Sequence, residues 1–202
     1  MSMNNYPFSN GRKNATEQDV FEEKKALRAY MKKRRGENEN RDVKNELLAK
    51  NVQSYLSALD GAGTKRKLFV YLSYSSEAGT DKLIETLLKN GHTVYCPRIE
   101  NGQMEAVAYG EDFSLSNYGI REPIGCVYNG DLDIVITPLL AVDTDGNRLG
   151  YGGGYYDAFF KKHPEAERVG YCYDFQIIKQ VPHNEQDVRL QKIITDKRYI
   201  QI

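Results

Sequence analysis

The feature that most restricts the fold is a change of period along the chain. After about residue 65, short apolar runs alternate with segments of helical spacing. "KLFVYLS" (67–73), "HTVYCP" (92–97), "LDIVITP" (132–138) and "ERVGYCYD" (167–174) read as buried strands, and "MEAVAY" (104–109) and "KRYIQI" (197–202) as further ones. Pro97 and Pro138 close two of them, because proline lacks the donor that a central ladder needs. Between them, "GTDKLIETLLKNG" (79–91) and "YYDAFFKKH" (155–163) read as helices, stopped by Gly91 and before Pro164. Strands joined through helices imply crossover connections and a mostly parallel sheet covered on both faces. The expected fold is a single-domain, three-layer α/β/α unit with a Rossmann-like sheet over residues 16–202. In such sheets ligands sit beyond the carboxyl ends of the strands.

Two helices precede the first strand of this unit. Thr16 with Asp19 three residues on is a capping signal, and the helix runs to about Arg35. Val20, Leu27 and Met31 recur on one face, and Lys24, Arg28 and Lys32 fall at i, i+4 and i+8 on another. The second helix, 41–59, carries a wide apolar stripe of Val43, Leu47, Leu48, Val52, Tyr55, Leu56 and Leu59. Residues 1–15 read as a polar, disordered lead-in without a signal-peptide pattern.

Composition excludes several classes. Lys plus Arg and Asp plus Glu number 28 each, so no long-range charge draws the chain to nucleic acid or an anionic membrane. Without an RNA-binding aromatic pattern, the basic helix is not a nucleic-acid site. No apolar run reaches the roughly 20 residues that span a bilayer. Cys96, Cys126 and Cys172 are odd in number and far apart, which fits a reducing, cytoplasmic setting and neither a disulfide framework nor a zinc site. They and the scattered His92, His163 and His183 read as structural. A monomer is the expected state.

The chemistry concentrates in "NRLGYGGGYYD" (147–157), which follows the 132–138 strand and opens a helix. A glycine-rich loop at a helix N-terminus lets backbone N–H groups and the helix dipole meet an anion without a Cβ in the way. Arg148 adds a guanidinium fork suited to phosphate oxygens, and Asp157, one turn into the helix, can take a divalent cation beside them. Glycines alone would suit any flexible connection; together with Arg148 and Asp157 they favour phosphate. The loop lacks G-K-[ST], and Tyr155 stands at the last glycine of a dinucleotide fingerprint, so neither nucleotide motif fits. "DTDGN" (143–147) departs from a calcium loop at its glycine and its final acid, and reads as a turn through Asp145-Gly146.

"PLLAVDTDGNRLGYGGGYYDAFF" (138–160) resembles the signature of the 5-formyltetrahydrofolate cyclo-ligase (methenyltetrahydrofolate synthetase) family, without a gap. "KKALR" (24–28), "YLSYSSEAGTDKLIE" (71–85), "CPRI" (96–99), "GIREP" (119–123) and "VPHNEQD" (181–187) extend the likeness from about Lys24 to Thr195. Val142 replaces a usual Phe, Ala158 a common Arg, and Thr137 an apolar residue; none is at a phosphate or metal position.

The resemblance implies an ATP- and Mg²⁺-dependent ligase of folate and one-carbon metabolism, with ATP and 5-formyltetrahydrofolate as substrates. It implies ATP binding by Lys24, Lys25, Ala26, Leu27 and Arg28, and by Arg148, Leu149, Gly150, Tyr151, Gly152, Gly153, Gly154, Tyr155 and Tyr156. Arg148, Lys24 and Arg28 would act on the transferring phosphoryl group, and Asp157 and Asp187 would hold Mg²⁺. Leu72, Glu77 and Glu122 would meet the folate, together with residues 151–155, whose Tyr151 and Tyr155 can stack on a flat ring. Without the resemblance, Lys24 and Arg28 would pass as a solvated basic face, and Asp187 and Glu77 as surface acids. Two readings remain beside it: a kinase or ligase acting on another small substrate, and a nucleotide-sensing module without turnover.

Overall fold

The computed structural model describes residues 16–60, 63–116 and 119–202; the expected lead-in, 1–15, lies outside them. Helix α1 (Glu17–Gly36) starts on a capping box: the Thr16 hydroxyl accepts from the Asp19 amide and the Asp19 carboxylate accepts from the Thr16 amide. Two N–H groups that the helix cannot satisfy internally are bonded this way. Helix α2 (Arg41–Asp60) follows. Then come β1 (Lys67–Val70), α3 (Asp81–Lys89), β2 (Thr93–Glu100), β3 (Gln103–Ala108) and a small ribbon of β4 (Phe113–Leu115) and β5 (Arg121–Pro123). Strand β6 (Ile134–Thr137) leads through a hairpin of β7 (Ala141–Val142) and β8 (Arg148–Leu149) to α4 (Tyr155–Lys162). The chain ends with β9 (Glu167–Tyr171), a short 3-10 turn (Asp174–Gln176), β10 (Lys192–Ile194) and β11 (Tyr199–Gln201).

The main sheet runs β11-β10-β9-β6-β1-β2-β3. The five inner strands are mutually parallel, and β3 and β11 are antiparallel edges. Side chains alternate across it, as strand geometry requires. Leu68, Val70, Ile134, Ile136 and Val169 meet Leu48, Val52 and Leu56 of α2 and Leu83, Ile84 and Leu87 of α3. Phe69, Val135 and Ile193 meet Phe159 and Phe160 of α4 on the opposite face. Phe69 stacks on Phe159 with ring centroids 4.2 Å apart. This is the expected three-layer unit, with a fourth element added. Leu27 and Met31 of α1 pack on Leu140, Ala141, Leu149 and Val181, which lie beyond the carboxyl ends of the strands.

Several expectations shift. Val43 and Leu47 of the α2 stripe are exposed, so its buried face is narrower than the sequence implies. Lys24 shares the buried face of α1 with Leu27 and Met31 and does not lie on a separate basic one. Cys126 is exposed, whereas Cys96 and Cys172 are buried. Pro97 does not end its strand. Tyr109 donates to the Val94 carbonyl and Thr93 to the Arg66 carbonyl, so odd-numbered residues of β2 bond toward β1. The β1 register stops at Tyr95, and Pro97 therefore occupies a slot with no partner to lose. The 143–147 turn is organised by the buried Asp143 carboxylate, which accepts from the amides of Asp145, Asn147 and Val181.

From β1 the chain proceeds outward to β2, whereas β6 lies on its other side and leads to β9 and β10. The connections that leave β1 and β6 thus diverge, and a crevice opens at their carboxyl ends. The segments 71–80 and 138–154 flank it, and α1 lies across it.

Candidate active site

The β7–β8 hairpin pairs Val142 with Arg148 and sets that arginine at the foot of the glycine loop. Arg148 is 9% exposed, with its guanidinium over the rings of Tyr156 and Phe160 at 5.5 and 5.8 Å. One nitrogen donates to Asp157 Oδ2 at 3.2 Å. Among the described residues, Arg148 Nε and Tyr156 OH are buried without a hydrogen-bond partner. A buried polar group without a partner is costly, so these two atoms suit a ligand.

Helix α1 brings further cations to the same loop. Arg28 Nε donates to the Gly150 carbonyl at 3.0 Å. A Cβ at Gly152 would lie 3.3 Å from the Arg28 guanidinium, and Gly152 has φ +102°, a conformation that side chains disfavour. Gly154, at φ 70°, is the N-cap of α4 and has no side chain to occupy the helix end. Tyr155 lies against Gly153, where a Cβ would meet its ring at 2.8 Å. Lys24, 8% exposed, forms an ion pair with Asp187. Burial lowers the Arg28 pKa, and the nearby Asp187 carboxylate opposes that shift.

The two candidate metal carboxylates are neighbours. Asp157 Oδ1 accepts from the Val188 amide at 3.0 Å, one residue beyond Asp187. Asp187 Oδ2 also accepts from the Asn184 amide at 2.7 Å. Among the described residues, no group of three or more His, Cys, Asp or Glu could hold a metal ion. Two carboxylates still suit Mg²⁺, which commonly takes one or two from the protein and the rest from phosphate oxygens and water. A cavity of about 410 Å³ opens at this end, lined by Asn147, His183, Asn184, Glu185, Asp187 and Arg189. His183 thus borders the cleft, although its residue type alone gave no reason to place it there.

Glu77 occupies a different part of the crevice. It is 8% exposed, and its carboxylate accepts from the Tyr74 amide at 2.9 Å. Burial raises its pKa; the Tyr74 bond, the Arg35 charge and the Tyr151 hydroxyl partly counter that. Tyr151 has a half-exposed ring, and burial of its hydroxyl, with Glu77 beside it, pushes its pKa up to about 12. Leu72 is buried in the core just before this turn.

Other expected residues fall elsewhere. Lys25 faces solvent and pairs with Glu22, and Leu27 and Leu149 are core, so these two can act only by seating α1 and the loop. Half-buried Ala26 makes no polar side-chain contact. Glu122 accepts from the Ile99 amide at 3.1 Å, on the β4–β5 ribbon beside β2, apart from the charges around Arg148. That ribbon is tied to the start of α3 by the 2.6 Å ion pair of Arg121 with Asp81.

The sequence reading missed Arg35. It is 2% exposed and hydrogen-bonds Ser76 Oγ at 3.1 Å, the Leu139 carbonyl at 3.2 Å and the Tyr151 hydroxyl. Its position was legible in principle, because 27, 31 and 35 continue one helical face.

Fold and site together define an α/β enzyme scaffold whose switch-point crevice carries a cationic glycine loop beside a buried acid. The match of the 5-formyltetrahydrofolate cyclo-ligase family model extends over residues 20–196. The chain belongs to that enzyme family. It is 34% identical over 140 residues to the 5-formyltetrahydrofolate cyclo-ligase of Escherichia coli K12, covering 64% of this chain and 77% of that protein. The mouse 5-formyltetrahydrofolate cyclo-ligase is 28% identical over 190 residues, covering 85% and 92%. In structure, the chain is similar to the 5,10-methenyltetrahydrofolate synthetase of Aquifex aeolicus, with a TM-score of 0.74 at 25% identity, covering 88% of this chain and 92% of that one. The resemblance read from the glycine stretch is borne out. Among the described residues no helix is long and apolar enough to cross a membrane.

Proposed function

We propose that this chain converts 5-formyltetrahydrofolate to 5,10-methenyltetrahydrofolate with hydrolysis of ATP to ADP and phosphate. The observation that carries the reading is that Arg28 and Arg148 meet at Gly150 of the glycine loop, with the Lys24–Asp187 pair next to Asp157 and Glu77 beside the loop's Tyr151. In this reading the loop amides and the three cations hold the triphosphate. The folate formyl oxygen attacks the γ-phosphorus, the bond to ADP breaks, and the formyl group is left as an iminophosphate. N10 then attacks the formyl carbon, the carbon–oxygen bond to phosphate breaks, and N10 gives up its proton. No protein nucleophile is needed, because phosphoryl transfer depends on positioning and charge neutralisation.

Asp157 and Asp187 would hold Mg²⁺, which supplies charge neutralisation at the phosphates. In the structure both carboxylates are already paired, with Arg148 and Lys24. Mg-ATP carries both signs of charge, so in this reading the cations exchange carboxylate for phosphate when it binds. Glu77, with Tyr151 and Tyr155, would face the pterin and aminobenzoyl rings.

The test mixes the protein with Mg-ATP and 5-formyltetrahydrofolate and follows the near-ultraviolet absorbance of the methenyl product beside ADP release. Equal amounts of both products are expected. ATP consumption with only another acceptor would select the alternative kinase or ligase, and binding without consumption would select a nucleotide sensor.

A further inference from the structure

Arg35 is the one buried cation on α1 that the ATP reading does not use. Lys24, Leu27, Met31 and Arg35 form the buried stripe of this helix, so two apolar anchors sit between two cations. Eleven residues of helix separate Lys24 from Arg35, roughly 16 Å along the axis. Lys24 reaches Asp187 at one end, while Arg35 reaches the Glu77 side at the other.

The contacts of Arg35 join three segments that are remote in sequence. Nε donates to Ser76 on the turn after β1, Nη1 to Leu139 after β6, and Nη2 to the Tyr151 hydroxyl on the glycine loop. The guanidinium also lies 5.4 Å from the centre of the Tyr151 ring. An arginine fork suits this task, because its donors have fixed directions and bond three acceptors at once.

We propose that Arg35 is the positioning residue for the folate half of the site, holding the Tyr151 phenol and the Glu77 carboxylate as one recognition face for the pterin. The proposal rests on the reading that folate binds beside Glu77, and deepens it. A carboxylate accepts the two adjacent N–H groups of a pterin edge only when ionised, and burial works against ionisation. The groups facing Glu77 are Arg35 from α1, Tyr71 from the end of β1, Tyr151 from the loop and Tyr156 from α4. Arg41 of α2 bonds only its backbone carbonyl. Of these, Arg35 brings the counter-charge to the carboxylate.

The experiment titrates 5-formyltetrahydrofolate and Mg-ATP separately into the wild type, Arg35→Met, Arg35→Lys, Tyr151→Phe and the Arg35→Met/Tyr151→Phe double variant. Arg35→Met is expected to weaken folate binding by about tenfold or more, the size of one lost charged hydrogen bond. Its Mg-ATP affinity should fall less than its folate affinity, since Arg35 reaches the glycine loop only through the Tyr151 side chain. Folate binding should fail as the pH drops and Glu77 protonates. That acid limb should move to higher pH in Arg35→Met and stay in place in Arg35→Lys, which keeps the charge.

Tyr151→Phe should reproduce part of the folate loss and raise the limb, and the double variant should lose less than the sum of the two. Equal loss of both ligands, an unmoved acid limb or additive losses would overturn the proposal, because a purely structural arginine gives those results. Tyr151→Phe removes one oxygen and decides the matter alone if the Arg35 variants do not fold: unchanged folate binding there also overturns it. A wild type that binds no folate would instead count against the folate reading itself.

Discussion

The two halves of the crevice are built by different means. The half around Arg148 is local and charged: most of its groups lie within residues 147–157, and its cations stand opposite carboxylates at a partly solvated edge. The half around Glu77 is assembled from α1, the turn after β1 and the glycine loop, and is largely buried among tyrosines. The first resembles a ready-made anion receptor. The second depends on three segments docking correctly before it exists. Charge chemistry can be compressed into one motif, whereas a buried recognition face needs the whole fold to enclose it.

The largest expected effect comes from the charged half. Arg148→Ala should cut turnover by roughly 10²-fold or more, the loss typical of one group that stabilises developing charge. The protein should still fold, which a thermal melt beside steady-state rates would check. An unchanged rate in a folded variant would remove Arg148 from the phosphates. A smaller effect should separate the halves. Gly152→Val strains a left-handed backbone and crowds Arg28, so ATP affinity should fall by about tenfold, the equivalent of 1–2 kcal/mol. Folate affinity should fall less, and equal losses on separate titration would mean that the halves are not independent.

The smallest effect is a gain. Asp187→Asn frees Lys24 from its carboxylate, and binding of ATP in the presence of a chelator should strengthen by a few fold, about what a partly exposed ion pair is worth. With Mg²⁺ present, the same variant should bind ATP more weakly than the wild type. Weaker binding under both conditions would show that Asp187 supports the site by structure alone.

Much of the fold could be read in advance because burial imposes periods. Strands of four or more residues, the capping box at Thr16 and the glycine loop each declare themselves within a short window. The ribbons β4–β5 and β7–β8 and the inner strand β10 did not, since two or three residues carry no measurable alternation. Pro97 misled because its effect depends on which neighbour a strand has at that point. Spacing alone sets Lys24 apart from the apolar face, because a buried cation is disfavoured without a partner, and its partner Asp187 is remote in sequence.

By itself the sequence determined the layer architecture, the glycine loop at the start of α4 and the family. These rest on periodicity and on contiguous residues, which local physics couples directly. Only the tertiary structure decided that Arg35 meets Tyr151 and lies beside Glu77, and that Lys24 faces Asp187, 163 positions away. Such pairs are chosen by how α1 packs across the strand ends, and no spacing along the chain encodes the choice.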